Sequence, residues 1–276
     1  MQTTYKLTTI VLEIIGIRLD LQDFLLFPFF ILVGLLAGIL GSMIGVGGGI
    51  IISPVLIFLG LSPPQVASTS LFAISSTSIS STLAYSKSKK IQYMLGIKMA
   101  LLSIPGAIIG SFFSVGIDPG SFKILLAIVL IGTGIYLIYK KSILAGNSLS
   151  FQNLWVRILF FSSTFVAGII SSLFGIGGGV VFVPLMIMIL GLTMYLAAPT
   201  SQFILMITSL VGLSTHIILG NPQYVPAILL SIGAFAGAQI GSRLSTKLSE
   251  QKLRLLLGIT FIGIALRLIL DFYQNA

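Results

Sequence analysis

"GVGGGIIISP", residues 45–54, places four glycines within five residues and then runs through an apolar stretch to a proline. The chain repeats this arrangement as "GIGGGVVFVP", residues 175–184. Glycine is among the poorest helix formers, yet both copies lie in strongly apolar surroundings. The two copies therefore predict two helices that are interrupted in the same way inside an apolar protein.

The overall composition indicates an integral membrane protein. Hydrophobic residues make up 56% of the chain, charged residues only 8%, and the mean hydropathy is +1.13. Soluble proteins carry about 25% charged residues, and several apolar runs here approach the ~20 residues that span a bilayer. The net charge of +9 is interpreted as a topological signal rather than as a nucleic-acid-binding surface, because Lys and Arg concentrate in cytoplasmic loops.

The similarity between the two copies extends over more than a hundred residues, at an offset of 130 that becomes 131 after one inserted residue. We therefore predict two homologous halves joined by a polar linker. Equivalent pairs include Gly38 with Gly168, Pro54 with Pro184, Thr69-Ser70 with Thr200-Ser201, Gln92-Tyr93 with Gln223-Tyr224, and Gly106 with Gly237.

Each half contains five apolar segments, of which the second is too short to cross a bilayer alone. The segments are 24–42, 49–61, 66–86, 94–115 and 121–139, then 156–173, 179–192, 195–219, 225–242 and 253–271. If the first two segments of a half form a hairpin that returns to its own side, each half crosses the membrane an odd number of times. The halves then have inverted topologies.

Basic residues favour this inversion, with both termini outside. The predicted cytoplasmic side holds 11 of the 15: Lys87, Lys89, Lys90, Lys98, Lys140, Lys141, Arg157, Arg243, Lys247, Lys252 and Arg254. The predicted fold is an all-α integral membrane protein with two inverted-topology repeats, each a glycine-broken helical hairpin plus three transmembrane helices. The boundaries are 1–23 for a membrane-surface segment, 24–141 for repeat 1, 142–154 for a cytoplasmic linker, 155–271 for repeat 2 and 272–276 for a tail.

The glycine clusters are candidate anion sites. Each leads into a helix whose first turns contain a proline, Pro54 or Pro184, and helix N-termini present backbone amides and a positive dipole end to anions. Glycine lets a ligand approach the bare backbone. The candidates are Gly47, Gly48, Gly49, Gly177, Gly178 and Gly179. Close helix packing is the alternative role, and we prefer it for Gly34/Gly38, Gly106/Gly110 and Gly233/Gly237/Gly241.

The third segment of the first half, "STSLFAISSTSISSTLAY" at residues 68–85, carries hydroxyls on every side. Such a helix is expected to be surrounded by protein or to line a passage. Alternatively, its hydroxyls bond their own backbone carbonyls. The candidate lining residues recur in both halves: Thr69, Ser70, Thr77, Ser78, Thr200, Ser201, Thr208 and Ser209, with Gln202 beside them.

His216 is the only histidine and lies in an apolar stretch, so it is a candidate for proton coupling. It falls near the end of its segment, and Tyr85 occupies the equivalent position in the first half. No Asp or Glu lies in the middle of an apolar segment, which argues against a carboxylate proton relay. The chain has no cysteine, no HExxH, no aspartate pair and no P-loop. We therefore predict neither a cofactor, a metal site nor an enzyme.

The duplicated GxGGG…P blocks, each followed by a small polar motif ("ASTS" at 67–70, "APTS" at 198–201), resemble the sulfite exporter TauE/SafE family, also called the 4-toluene sulfonate uptake permeases. The likeness covers residues 24–271. It implies transport of small sulfur-containing or organic anions, such as sulfite, sulfonates or sulfoacetate, across the cytoplasmic membrane. A secondary transporter working by alternating access is the leading hypothesis, and a passive anion channel is the alternative. The expected partners are a small anion and the lipid bilayer, with no nucleic acid. The sequence leaves the coupling ion, the direction and a homodimeric state open.

Overall fold

The computed structural model describes residues 21–139, 154–245 and 249–275, and all regular secondary structure in these residues is α-helical. The predicted surface segment and linker fall largely on residues 1–20 and 140–153, outside the described residues. The helices are α1 (Leu21–Ile44), α2 (Gly49–Phe58), α3 (Pro63–Ser86), α4 (Tyr93–Gly116), α5 (Pro119–Tyr139), α6 (Leu154–Phe174), α7 (Gly179–Leu190), α8 (Met194–Ile218), α9 (Tyr224–Leu244) and α10 (Glu250–Asn275).

Four of the described helices are long and apolar enough to cross a membrane: α1, over Phe27–Ile44, and α4, α8 and α9. The outer surface carries large apolar side chains, for example Leu32, Phe113 and Ile259, which are 56%, 64% and 60% exposed. Hydroxyl-rich α3 is instead mostly buried. Apolar side chains outside and hydroxyls inside suit a lipid environment. The prediction of an all-helical membrane protein is confirmed.

Helices of one half pack mainly on helices of the other half. Helix α1 packs along α9, and α4 packs along α6. The backbones approach closely, since a Cβ on Gly38 would collide with the Ala234 carbonyl, and one on Gly168 would collide with the Ser103 carbonyl. Because small residues permit such close approach, the packing role predicted for the spaced glycines is confirmed.

Equivalent helices of the two halves run antiparallel where they meet. Along α3 and α8, Leu71 lies opposite Gly212 and Ser75 lies opposite Ser209, so residue numbers rise on one helix as they fall on the other. Along α5 and α10, the Lys123 ammonium lies 2.6 Å from the Asp271 carboxylate. Gly134, further along α5, lies against residues 258–262. Both pairs are therefore antiparallel.

Two local predictions need correction. Helix α3 begins at Pro63 rather than at residue 66, because the Gln65 side chain accepts a hydrogen bond from the Ser62 backbone N–H (3.1 Å) and caps the helix start. Pro54 and Pro184 do not lie in the opening turns of α2 and α7. Each is the sixth residue of its helix, where proline removes an intrahelical hydrogen bond.

Candidate functional site at the glycine turns

The link between α1 and α2, residues 45–48, is called the first glycine turn, and the link between α6 and α7, residues 175–178, the second. Gly45, Gly47 and Gly48 have φ of 85°, 85° and 84°. Residues other than glycine rarely adopt such positive φ values. In the second turn, Gly175 and Gly177 have positive φ. Gly178 is helical, with φ −61°. Both helices are therefore interrupted, as predicted, but the two turns differ in shape.

The two turns meet each other inside the protein. A Cβ on Gly49, the first residue of α2, would collide with the Gly175 carbonyl, and one on Gly179, the first residue of α7, would collide with the Gly45 carbonyl. The starts of the two short helices therefore converge on one region. The first N–H groups of a helix have no intrahelical acceptor, so this region concentrates two positive helix ends.

Serine hydroxyls hold the carbonyls of both turns. Ser201 donates to the Gly45 carbonyl at 2.6 Å, and its equivalent Ser70 donates to the Gly175 carbonyl at 2.5 Å. The Gly175 carbonyl has a second hydroxyl neighbour, Ser53, at 2.8 Å. Each half thus supplies a serine that fixes the turn of the other half.

Gln202 adds a side-chain hydrogen bond next to the first glycine turn. Its side-chain amide nitrogen donates to the Gly41 carbonyl at 2.7 Å, which also accepts the N–H groups of Gly45, Val46 and Gly47 at 3.0, 2.9 and 3.2 Å. The Gln202 side chain is fully buried, and its carbonyl oxygen has no partner among the described residues. The site therefore contains one unused hydrogen-bond acceptor.

Two apolar side chains fill the space beside the first turn, and sequence reasoning missed them. A Cβ on Gly47 would lie 3.0 Å from both Ile74 Cγ2 and Leu205 Cδ1. Both side chains are fully buried. They are equivalent under the repeat, at an offset of 131, and this was the signal that could have revealed them. We call Ile74 and Leu205 the central apolar pair.

The predicted hydroxyl residues divide into two groups. Ser70 and Ser201 lie at the turns, whereas Thr69 and Thr200 accept hydrogen bonds from the backbone N–H groups of Gln223 (3.2 Å) and Gln92 (3.0 Å), which cap the starts of α9 and α4. Thr77, Thr208 and Ser78 donate within their own helices, to Ala73 O, Ile204 O and Ser75 O. Ser209 accepts a hydrogen bond from the Ser75 hydroxyl, between α8 and α3. For Thr77, Ser78 and Thr208 the alternative of bonding to the own helix is confirmed.

His216 and Tyr85 occupy equivalent places. The Tyr85 hydroxyl donates to the Ser42 carbonyl at 2.9 Å, and His216 Nε2 lies 3.2 Å from the Ser172 carbonyl. Ser42 and Ser172 are themselves equivalent under the repeat. Because a carbonyl only accepts, Nε2 carries the hydrogen, and Nδ1 is left without a partner among the described residues. His216 thus contacts a hairpin helix rather than a glycine turn.

The chain is similar to known proteins along most of its length. The model of the family described as "Sulfite exporter TauE/SafE" matches residues 30–268. The chain belongs to the TauE/SafE family. Curated TauE/SafE-type relatives match nearly end to end and are named probable membrane transporter proteins. YunE of Bacillus subtilis is 33% identical, covering 89% of this chain and 98% of the relative. MJ0441 of Methanocaldococcus jannaschii is 30% identical, covering 87% and 94%.

The TauE/SafE membership agrees with the sequence resemblance and with the helical architecture. The protein is a multi-pass membrane protein of a transporter family. A more distant relative, YfcA of Escherichia coli, is also named a probable membrane transporter protein and is 22% identical, covering 87% of this chain. No solved structure matches the chain.

Proposed function

We propose that this protein is a secondary transporter of small sulfur-containing or organic anions, of the sulfite, sulfonate or sulfoacetate type, that works by alternating access. The observation that carries the proposal is the meeting of the two glycine turns. Gly49 and Gly179, the first residues of α2 and α7, each abut the opposite turn. In transporters built from repeats, such discontinuous helices hold anionic groups at their positive ends.

The two repeats are proposed to have inverted topologies. Support comes from the antiparallel contacts of α3 with α8 and of α5 with α10, since equivalent helices related by an axis in the membrane plane run in opposite directions. The reciprocal bonds of Ser70 and Ser201 support a twofold relation. Lys87, Lys89 and Lys90 follow α3, which favours a cytoplasmic location for that end.

The proposed anion site comprises the amides of residues 47–49 and 177–179. Ser70 and Ser201, which donate their hydrogens to the Gly175 and Gly45 carbonyls, are proposed to hold the two turns in place. Gln202 is proposed to hold the first glycine turn through its amide nitrogen, because its carbonyl oxygen only accepts hydrogen bonds and cannot donate one to an anion. Thr69 and Thr200 remain candidates for lining the route to this site, whereas Thr77 and Thr208 donate within their own helices. We propose that the central apolar pair closes the site in this conformation and moves when an anion enters. A filled centre favours a carrier over an open channel.

The test is anion counterflow in proteoliposomes. Purified protein would be reconstituted with one unlabelled anion inside and the same labelled anion outside, across sulfite, thiosulfate, alkylsulfonates and carboxylates. A carrier accumulates label transiently above its equilibrium level, and the rate saturates with concentration. Label that only equilibrates would identify a channel, and no flux of any of these anions would refute the proposal.

Alanine variants of the central apolar pair test whether these two side chains control the flux measured in this assay. Ile74→Ala and Leu205→Ala open the centre, whereas Leu126→Ala removes a similar buried side chain from α5, away from the turns. If the central apolar pair is the barrier, the first two variants leak anion down its gradient and lose counterflow. The Leu126 variant should keep counterflow per folded molecule. Unchanged counterflow in both central variants would remove the pair from the mechanism.

Gly48→Ala does not provide a clean test of anion binding. A Cβ there would lie 2.6 Å from the Ala37 carbonyl oxygen, and φ is +84°. A folding defect is therefore expected with or without ligand. Loss of transport in that variant would not distinguish a binding role from a packing role, which is why the central apolar pair is the better target.

A further inference from the structure

A small cleft opens at the end of the protein where α3 and α9 finish. Its volume is about 10 Å³, and its lining includes Lys90, Tyr195, Met43, Met194, Pro199 and Ser245. The cleft adjoins the first glycine turn. Ala198 also lines it, and a Cβ on Gly45 would lie 2.6 Å from the Ala198 Cα. Ala198 therefore lies both at the cleft and against the first glycine turn.

Lys90 is the charged residue that lines this cleft, and its ammonium has hydrogens that it can donate to a ligand. The Tyr85 hydroxyl gives its single proton to the Ser42 carbonyl or to the Ser245 hydroxyl, and Ser245 donates to the Ser242 carbonyl at 2.8 Å. The Lys90 ammonium lies 5.7 Å from the centre of the Tyr195 ring. Among the described side chains, the ion pair within 4.0 Å joins Lys123 and Asp271, and no described carboxylate lies within that distance of the Lys90 ammonium.

The opposite end of the protein has the same framework without the charge. His216 contacts the Ser172 carbonyl as Tyr85 contacts that of Ser42, but the position equivalent to Lys90 is Asn221. The side-chain nitrogen of Asn221 is buried with no partner among the described residues. A cationic group is thus found at one of the two equivalent positions, and the two ends differ chemically.

We propose that the Lys90 cleft is an anion-docking site, separate from the glycine turns, at the mouth of the transport route. Lys90 binds the charged group, while Met43, Met194 and Tyr195 contact an apolar substituent. The cleft must widen to admit an anion, and its methionines and lysine are unbranched side chains that change rotamer readily. The proposal rests on the transporter function proposed above, and it places first capture at the end that carries Lys87 and Lys89.

The test compares Lys90→Gln with Lys90→Arg, using Lys87→Gln as the matched control. Lys87 is an exposed lysine at the same end, so its loss removes the same overall charge. Binding would be measured as the shift in thermal unfolding midpoint of purified protein titrated with methanesulfonate. Lys90→Gln should weaken binding about tenfold, as expected for loss of a hydrogen bond to a charged group. The affinity of Lys90→Arg should stay within about threefold of that of the wild type. The affinity of Lys87→Gln should equal that of the wild type.

A series of alkylsulfonates of increasing chain length tests the proposed apolar contacts with Met43, Met194 and Tyr195. From methanesulfonate to propanesulfonate, affinity should rise about fourfold for each methylene that becomes buried, and Met194→Ala should flatten this series. Equal binding by Lys90→Gln and Lys87→Gln would overturn the docking site.

The two proposals fail in distinguishable ways. Wild-type counterflow that is unaffected by Lys90→Gln in KM and in rate would overturn the docking site and leave the transporter proposal standing. Binding that depends on Lys90, together with no flux of any anion, would overturn the transporter proposal and leave the docking site standing. If no anion shifts the unfolding midpoint of the wild type, the docking site is refuted, whatever the flux assay finds.

Discussion

Replacing Ser201 by alanine is expected to destabilise the protein more than replacing its equivalent, Ser70. The Gly45 carbonyl accepts a hydrogen bond from Ser201. The Gly175 carbonyl accepts from both Ser70 and Ser53. Valine stands at 183, the position equivalent to Ser53, so the first turn has no matching second serine. Ser201→Ala therefore removes the hydroxyl donor of a buried carbonyl, whereas Ser70→Ala leaves one in place.

The expected difference follows from hydrogen-bond energetics. A buried acceptor left without a partner costs about 1–3 kcal/mol, whereas one bond of an acceptor that keeps another donor is worth about 0.5–1.5 kcal/mol. Measured side-chain hydrogen bonds in a membrane protein average about 0.6 and reach about 1.7 kcal/mol. We therefore expect about 1.7 kcal/mol for Ser201→Ala and about 0.6 kcal/mol for Ser70→Ala, a difference of about 1 kcal/mol.

The assay is reversible unfolding in mixed micelles with increasing sodium dodecyl sulfate, followed by far-ultraviolet circular dichroism. Ser53 has one hydrogen to donate, and Gly175 O at 2.8 Å is its shortest contact, against 3.0 Å to Phe174 O. Removing both Ser53 and Ser70 should therefore cost more than the sum of the two single changes. An equal or larger loss for Ser70→Ala than for Ser201→Ala would refute this reasoning.

Two further outcomes can be tested independently. Gly38→Ala should lower the unfolding midpoint, because overpacking against the α9 backbone costs about 1–3 kcal/mol. Gly132→Ala has nothing within 4 Å of the new Cβ and should be neutral or slightly stabilising; equal damage at both sites would contradict the packing assignment. For topology, Ser88→Cys should be shielded from an impermeant external thiol reagent, whereas Asp118→Cys should react, since the chain has no other cysteine. Labelling of both positions from one side would exclude the inverted arrangement.

The helices themselves were largely predictable because apolar runs and glycines leave a direct signature in the chain. The interruption before α2 and α7 follows from the glycine clusters, and α2 begins at Gly49 as the segment boundary indicated. The start of α3 was misplaced because the apolar segment was bounded at residue 66, after Pro63 and Pro64, although proline is favoured at the first helical positions. The cap by Gln65 was the overlooked signal.

The candidate site was only partly predictable, because its important contacts cross between the two halves. The repeat identified Ser70 and Ser201, but nothing in a linear sequence states that each serine bonds the turn of the opposite half. Ile74 and Leu205 appeared as ordinary apolar residues of hydroxyl-rich segments. Their equivalence under the repeat is visible in the sequence, but their contact with Gly47 is visible only in the coordinates. Whether a hydroxyl lines a passage or bonds its own helix, as Thr77 does, also requires coordinates.

The interlocked halves have a consequence for biogenesis. Helix α1 packs along α9, and the intervening chain, from Ile44 to Tyr224, takes roughly 10–40 s to synthesise at about 5–20 residues per second. Throughout that interval α1 is in the bilayer without its main partner, with Gly34 and Gly38 facing lipid or transient neighbours. The first half therefore cannot complete its folding during its own synthesis, and a ribosome stalled after α5 would leave an unfinished substrate for membrane chaperones and proteases.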